Sequence, residues 1–235
     1  MTRLIFIYFL LIFGFCPALH AQQRRVQNRP YIDQRRLHYG FLIGIQEQDL
    51  EFTNNAHITE DGECWYAEVS EYNPGFEVGV LAELYLTKHL ALRIIPTMHF
   101  GEKNITFIEE TSRQKYMQDL KSTYITCPID LKYSAERFNN YRPYIMAGVA
   151  PIFDLTSKNN QALKTKKGDC MIEVGLGCDF YLPYFKLIPE LKFCFGLSNV
   201  IDKDRKDLND KTLLKYTDAV DKISSKMVVL TLYFE

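Results

Sequence analysis

Three polar residues, Glu77, His99 and Ser122, are the best candidates for catalytic chemistry in this chain of 235 residues. A hydrolase of the serine type needs a nucleophile, a base and an orienting acid within hydrogen-bond reach of one another. No motif spacing links these residues, and an ion pair beside a hydroxyl explains them equally well. We therefore expect no enzyme, and a lipid-modifying enzyme is the least favoured alternative.

Histidine and cysteine do not form a recognisable metal or disulfide framework. The five histidines lack paired ligand spacing such as H-E-x-x-H. Of the six cysteines, Cys16 falls in the N-terminal segment. The others follow no C-x-x-C motif and are odd in number, so we expect them to act as small apolar residues, with pairing of the first left open: Cys64, Cys127, Cys170, Cys178 and Cys194. We predict no metal and no cofactor.

The composition excludes several classes of protein. A formal net charge of −1 removes the electrostatic case for nucleic acid as a partner. Aromatic residues make up 14% of the chain, which is too many for a disordered protein. A mean hydropathy of −0.18 is too low for a bundle of transmembrane helices.

The N-terminus predicts export. Arg3 precedes an apolar run over 4–13, and Ala21 is a small residue at the expected cleavage site, so residues 1–21 are predicted to be a signal peptide. A lipoprotein signal at Cys16 is the alternative, although a bulky residue, Phe15, stands where such a signal needs a small one. A basic leader, 22–36, follows the predicted cleavage site.

The mature chain repeats one pattern, in which apolar and polar residues alternate over segments of about ten residues. Such segments are typical of strands that turn an apolar face to lipid and a polar face to the lumen of an outer-membrane barrel. The predicted strands are 37–46, 75–86, 90–101, 122–133, 141–154, 169–182, 186–197 and 226–235.

The connections between these strands alternate strictly in length. Long connections and short turns are typical of extracellular loops and periplasmic turns, respectively. We therefore predict an all-β fold over 37–235, an eight-stranded antiparallel up-and-down transmembrane β-barrel in the bacterial outer membrane, with both termini in the periplasm. The predicted loops are 47–74, 102–121, 155–168 and 198–225, and the predicted turns are 87–89, 134–140 and 183–185.

The polar faces of the predicted strands carry charges of both signs. A barrel of eight strands is just wide enough for side chains to fill, so these charges should pair with each other and leave no open pore. The short turn 87–89 predicts Glu83 opposite Arg93 and Glu77 opposite His99. The same interior set of structural charges includes Asp130, Arg142, Asp179 and Lys192.

Several stretches resemble a known family. They include "NNYRPY" at 139–144, "DFYLPYFK" at 179–186 and "PELKF" at 189–193, and the similarity extends over most of 37–235. On these stretches the chain resembles the PorT family of outer-membrane barrels, often described as protein-translocating porins. The resemblance implies a part in the type IX secretion system and protein transport. It implies no catalytic residues and no small-molecule substrate. Many outer-membrane barrels end on an aromatic residue, whereas here Glu235 follows Phe234.

Outer-membrane lipid and other proteins of the secretion machinery are the expected partners. Two regions outside the strands are candidates for partner contacts: the arginines of the leader and Trp65 in the first long loop. A disordered leader, and packing of Trp65 on the barrel rim, are the structural alternatives. The pattern over 213–223 favours a short amphipathic helix. A barrel serving adhesion or envelope integrity is the alternative function. The candidate contact residues are Arg24, Arg25, Arg35, Arg36 and Trp65.

Overall fold

The structure is a computed structural model of the chain. It describes residues 26–55, 62–71, 73–110, 112–156, 164, 166–202 and 213–235. The predicted signal peptide, with Arg24 and Arg25, therefore lies outside the described residues.

Strands make up most of the described chain and form a single sheet of 11 strands. The only other regular elements are a 3-10 turn, Ile32–Gln34, and a short helix, Leu214–Asp218, among the described residues. No helix in this part of the chain is long and apolar enough to cross a membrane. The strands are β1 Leu37–Asn54, β2 Trp65–Glu71, β3 Gly75–Tyr85, β4 Leu90–Ile94, β5 Thr97–Glu109, β6 Lys115–Thr126, β7 Ile129–Ser134, β8 Tyr141–Asp154, β9 Gly168–Tyr181, β10 Lys186–Gly196 and β11 Val220–Phe234.

The sheet closes on itself as an eight-membered antiparallel ring, because β1 pairs with both β3 and β11 while β8 pairs with both β7 and β9. Two ring members are interrupted by proline: Pro96 separates β4 from β5, and Pro128 separates β6 from β7. Proline has no N–H to donate to the ladder, so the strand assignment breaks there while the chain runs on. The predicted barrel fold is confirmed.

The outward wall follows the predicted alternation. On β1, the outward residues from Leu37 to Ile45 are apolar and exposed, and this length matches a membrane-crossing strand. The 75–101 hairpin has the predicted register, with Glu83 opposite Arg93 and Glu77 opposite His99.

The strands continue well past the predicted loop boundaries. β1 extends to Asn54, β2 lies within predicted loop 47–74, β5 and β6 fill most of 102–121, and β11 begins at Val220. Three of the four loops, 47–74, 102–121 and 198–225, are therefore shorter than predicted, whereas 155–168 agrees with the prediction.

The cause is an inversion of polarity along the strands. Glu47, Glu102 and Lys226 face outward at the level where neighbouring strands lose their apolar outer residues. Beyond that level the inward side chains, such as Leu50 and Phe107, are apolar and buried. The lipid-facing pattern ends there, and the strands continue with the polar-out pattern of a sheet in water.

We refer below to the end of the barrel with turns 86–89, 135–140 and 182–185 as the short-turn end, and to the opposite end as the long-connection end. The N-terminal leader and the C-terminus lie at the short-turn end, where Glu235 pairs with Lys186 through backbone hydrogen bonds.

Gly148 provides a test of this packing. A Cβ atom at this position would lie 2.1 Å from Asp130 Oδ1 and 2.5 Å from the carbonyl oxygen of Ile129. We expect Gly148→Ala to lower the free energy of unfolding by about 1–3 kcal/mol, the usual cost of overpacking. Denaturant unfolding of the purified protein in detergent micelles would measure it.

Gly168→Ala is the matched control, since its Cβ would meet nothing closer than the carbonyl oxygen of Ile152 at 3.9 Å. If the two variants were equally stable, residue 148 would not face inward against Asp130 as the structure places it.

Candidate functional site

The lumen is the largest concentration of chemistry-bearing side chains in the described chain. Every charged residue predicted to face inward is buried there. This set contains the eight residues named from the sequence as interior charges and four more charged residues on the same polar faces of the predicted strands. The predicted residues are Glu77, Glu83, Arg93, His99, Asp130, Arg142, Asp179 and Lys192, and the additional ones are Lys132, Glu173, Lys186 and Glu190.

Arg93 and Glu190 form the most complete of the ion pairs. Arg93 Nη1 and Nη2 lie 2.7 and 2.8 Å from Glu190 Oε2. The hydroxyls of Tyr144 and Tyr233 donate to the same carboxylate at 2.5 and 2.8 Å. The predicted partner, Glu83, lies opposite Arg93 in the register but is not its ion-pair partner. The narrow ring lets a long guanidinium side chain reach across the lumen, so a distant strand supplies the better geometry.

Glu83 binds a different cation. Lys132 Nζ lies 3.2 Å from Glu83 Oε1 and 2.9 Å from Asp179 Oδ1, so one ammonium group bridges two carboxylates. The ring centre of Tyr144 lies 4.2 Å from the same nitrogen. A cation shared in this way satisfies two buried carboxylates that would otherwise repel each other.

Glu77, His99 and Ser122 are not arranged as a catalytic triad. His99 Nδ1 lies 2.6 Å from Gln46 Oε1 and 3.4 Å from Glu77 Oε2, and its Nε2 lies 2.9 Å from Thr126 Oγ1. Both ring nitrogens of His99 therefore have partners other than Ser122. Glu77 accepts a hydrogen bond from the Thr231 hydroxyl at 2.5 Å.

The remaining predicted charges are less well paired. Lys192 Nζ lies 3.8 Å from Glu173 Oε2. Neither carboxylate oxygen of Asp130 has a hydrogen-bond partner in the part of the chain that the structure describes. Arg142 lies opposite Asp179 in the register, but Asp179 binds Lys132.

The described part of the leader, residues 26–36, is docked across the short-turn end rather than disordered. The Asn28 amide group donates to the carbonyl of Tyr181 at 2.9 Å, and Arg29 donates to the carbonyl of Glu235 at 3.2 Å. Arg137 donates to the carbonyl of Asn28 and lies 3.5 Å from Asp33 Oδ2. These contacts connect the leader to three separate points on the rim, so residues 26–36 cover this end of the lumen.

The unusual C-terminal residue has a structural role. Strand alternation turns Phe234 outward and brings the side chain of Glu235 into the lumen, where it contacts His38. Lys186 Nζ lies 2.6 Å from Glu235 Oε2. The terminal glutamate thereby joins the two strands on either side of β11.

The long-connection end is closed by an apolar cluster. Trp65 is only 3% exposed and packs edge-on against Tyr216, with ring centres 4.9 Å apart. Leu50, Phe107 and Ile223 belong to the same cluster. Trp65 is therefore a core residue, as in the alternative that packs it on the barrel rim, and it is not an exposed contact. The predicted helix within 198–225 is present but shorter than its apolar pattern, because Val220 and Ile223 belong to β11.

Lys215 of this helix and Trp65 of the cluster bind the same carboxylate, that of Glu63. Its ammonium group lies 2.9 Å from Glu63 Oε2, and Trp65 Nε1 donates to the same oxygen at 2.8 Å. These hydrogen bonds hold the pKa of Glu63 below its usual value. Burial raises the pKa of the neighbouring Tyr216.

The cysteines and metal-ligating residues add no further site among the residues that the structure describes. Cys64, Cys127, Cys170, Cys178 and Cys194 are all free thiols. No group of three or more His, Cys, Asp or Glu in the described ranges is arranged to hold a metal ion.

A closed antiparallel ring with an apolar outer band and a polar interior defines an integral β-barrel membrane protein. The family model described as "Outer membrane protein beta-barrel domain" matches residues 20–202, and the chain belongs to this family. Family membership places the barrel in the bacterial outer membrane.

Solved structures of outer-membrane barrels show similarity over most of the chain. OprG from Pseudomonas aeruginosa is 11% identical, with a TM-score of 0.46 and coverage of 84% of this chain and 92% of that chain. AlkL is 14% identical, with a TM-score of 0.41 and coverage of 83% and 88%. Ail from Yersinia pestis, in complex with a heparin analogue, is 11% identical, with a TM-score of 0.38 and coverage of 85% and 99%. No curated protein matches the chain.

The partner of Arg93 can be tested by a double-mutant cycle. Removing one member of a buried ion pair leaves the other uncompensated, so we expect Arg93→Leu to cost about 3–5 kcal/mol of unfolding free energy. Adding Glu190→Leu should recover part of that loss, whereas adding Glu83→Leu should not, because Glu83 pairs with Lys132. Denaturant unfolding in micelles of the wild type, the three single variants and the two double variants provides both cycles.

The exposed pair of Glu51 and Lys226 supplies the control, since Lys226→Leu should leave stability unchanged within error. Rescue of Arg93→Leu by Glu83→Leu alone would show that the cross-strand neighbour is the true partner.

Proposed function

We propose that this barrel is a contact component of the type IX protein secretion machinery and not a pore. The observation that carries this proposal is the state of the lumen, which is filled by buried charged side chains, most of them in ion pairs, and has packed residues across both ends. Folded cargo cannot pass through an eight-stranded ring of this kind. The resemblance of 139–144 and 179–193 to the PorT family supports the secretion role.

In this proposal the short-turn end, with both termini, faces the periplasm, and the long-connection end faces outward. Short turns on the periplasmic side are the rule for barrels of this class. Partner proteins would then meet the docked leader from the periplasm. Its Arg35 and Arg36 are exposed and have no ion-pair partner among the described residues.

Adhesion or envelope integrity is the second candidate function. The observation that favours it is the extension at the long-connection end, where β1, β2, β5 and β11 rise beyond the apolar band around their own packed core. Such an extension is a rigid support for surface contacts. We propose no enzymatic role, because the ring nitrogens of His99 are taken up by structural contacts.

The orientation is tested by cysteine labelling of intact cells, in a background without the native cysteines. Tyr184, which is 90% exposed, lies on a short turn, and Arg113 lies at the tip between β5 and β6. We expect a bulky impermeant maleimide to label Arg113→Cys at once and Tyr184→Cys only after the outer membrane is permeabilised. The reverse pattern would contradict the proposed orientation.

Gene deletion separates the candidate functions. If the barrel serves secretion by contact, its deletion should trap secreted cargo in the periplasm without changing the uptake of small solutes, and purified protein should show no large, stable conductance in planar bilayers. Normal export together with lost surface attachment would favour the adhesion function instead. A large stable channel would overturn the contact mechanism.

A further inference from the structure

The short-turn end contains a hollow that the proposed function does not use. It lies between the leader, the turn 86–89 and the turn 135–140, and has a volume of about 400 Å³. This volume is within the range of small-molecule sites. We call it the rim hollow. The residues that matter for its chemistry are Lys88, His89, Glu136 and Arg142.

Arg142 is a buried cation without a carboxylate partner. It is 5% exposed, and its Nε donates to the carbonyl of Ala135 at 2.7 Å while Nη2 donates to the carbonyl of Lys88. No carboxylate among the described residues lies within ion-pair distance of it: Asp179 binds Lys132, and Asp33, which lines the same hollow, acts on Arg142 only from a longer distance. The hydroxyl of Tyr181 is a further polar neighbour. A desolvated guanidinium of this kind favours an anion in the space that it lines.

The other groups of the hollow complete a site for a small charged ligand. Lys88 is exposed on its turn and forms no ion pair within the described ranges. His89 Nδ1 lies 2.9 Å from the carbonyl of Ser134, which fixes the ring at the edge of the hollow. Two acidic residues line the hollow, Asp33 and Glu136. Asp33 pairs with Arg137, so Glu136, which is exposed on the facing turn, is the acidic lining residue without an ion pair.

The position of the hollow indicates where the anion comes from. The flanks of its two turns carry exposed apolar and aromatic residues, and the His89 ring lies 6.1 Å from that of Tyr133. Aromatic residues of this kind mark the level of the lipid headgroups in membrane barrels. The hollow therefore opens at the level of the lipid headgroups. The flanking residues are Leu86, Tyr133, Phe138 and Tyr141.

We propose that the rim hollow binds the headgroup of a phospholipid, with its phosphate at Arg142 and Lys88. The carboxylate of Glu136 can then pair with the ammonium group of an ethanolamine headgroup. This pairing favours phosphatidylethanolamine over phosphatidylglycerol, whose headgroup ends in an uncharged glycerol. Binding of this lipid would neutralise Arg142 and tie the two short turns to the membrane surface. The inference needs only a membrane-embedded barrel and is independent of the secretion role.

The test uses the purified, delipidated full barrel in an uncharged maltoside detergent. Dihexanoyl phosphatidylethanolamine is titrated in, and binding is followed by native mass spectrometry and by the ³¹P NMR signal. We expect one tightly held lipid per chain. Lys88→Ala should weaken it about tenfold, as expected for one charge-assisted hydrogen bond. Arg142→Lys should weaken it as well, through loss of the planar fork.

Arg36→Ala is the matched control, since it removes an equal charge from the same end of the barrel but outside the hollow, and it should bind as the wild type does. Glu136→Gln should weaken phosphatidylethanolamine and leave phosphatidylglycerol unaffected. Because Lys88 is exposed, its variant is informative even if Arg142→Lys fails to fold.

Three results would overturn the proposal. The first is equal binding by wild type and Lys88→Ala. The second is equally tight binding of dihexanoyl glycerol, which has no phosphate. The third is displacement of the lipid by inorganic phosphate or by an acidic peptide at the same concentration, which would assign the hollow to a soluble anion instead.

Discussion

A closed ring of strands in lipid has nowhere to turn its polar side chains except inward. Closure satisfies the backbone, because β1 pairs with β11 and leaves no edge in the membrane. The outer wall must then be apolar, and the polar alternate positions share a lumen too narrow for bulk water. Buried charges in such a space stabilise the fold only when they meet one another. The bridging of Glu83 and Asp179 by Lys132 is a direct consequence of this constraint.

The same alternation has the opposite meaning outside the membrane. Beyond Glu47 and Lys226 the outer face is polar, and the lumen side is filled by apolar residues such as Leu50 and Ile223. One continuous strand therefore passes from lipid into water, and its apolar side chains change from the outer face to the inner face at the boundary. The reversal produces a second core, and this core closes the long-connection end of the barrel.

The two ends are covered by different means. At the short-turn end, hydrogen bonds from Asn28, Arg29 and Arg137 hold the leader across the opening. At the other end, packing of Trp65 and Tyr216 covers it. A barrel that is filled and covered in this way presents only its surfaces to other molecules, which supports the proposed contact role over conduction. The rim hollow is one such surface, and in the proposed orientation it lies on the periplasmic side of the barrel.

The sequence by itself determined the ring and the orientation of its residues. Alternation assigned each side chain to lipid or lumen, and the short turn 87–89 was enough to place Glu83 opposite Arg93. Both are local properties, since the period of a strand and the geometry of a turn involve only near neighbours in the chain. The part of β5 that extends into 102–121 was predicted as loop, because an alternating pattern was taken as a strand only where its outward residues are apolar, as they are in lipid.

Only the tertiary structure decided which charges meet. Arg93 binds Glu190, which is 97 residues away, in preference to the neighbour opposite it. That choice depends on the curvature and stagger of the closed ring, which bring distant strands within reach of a long side chain. The docking of the leader depends on them too, since Asn28 meets Tyr181 only after all the strands between them have paired. No local sequence pattern predicts this contact between Asn28 and Tyr181, because only closure of the ring brings the two residues together.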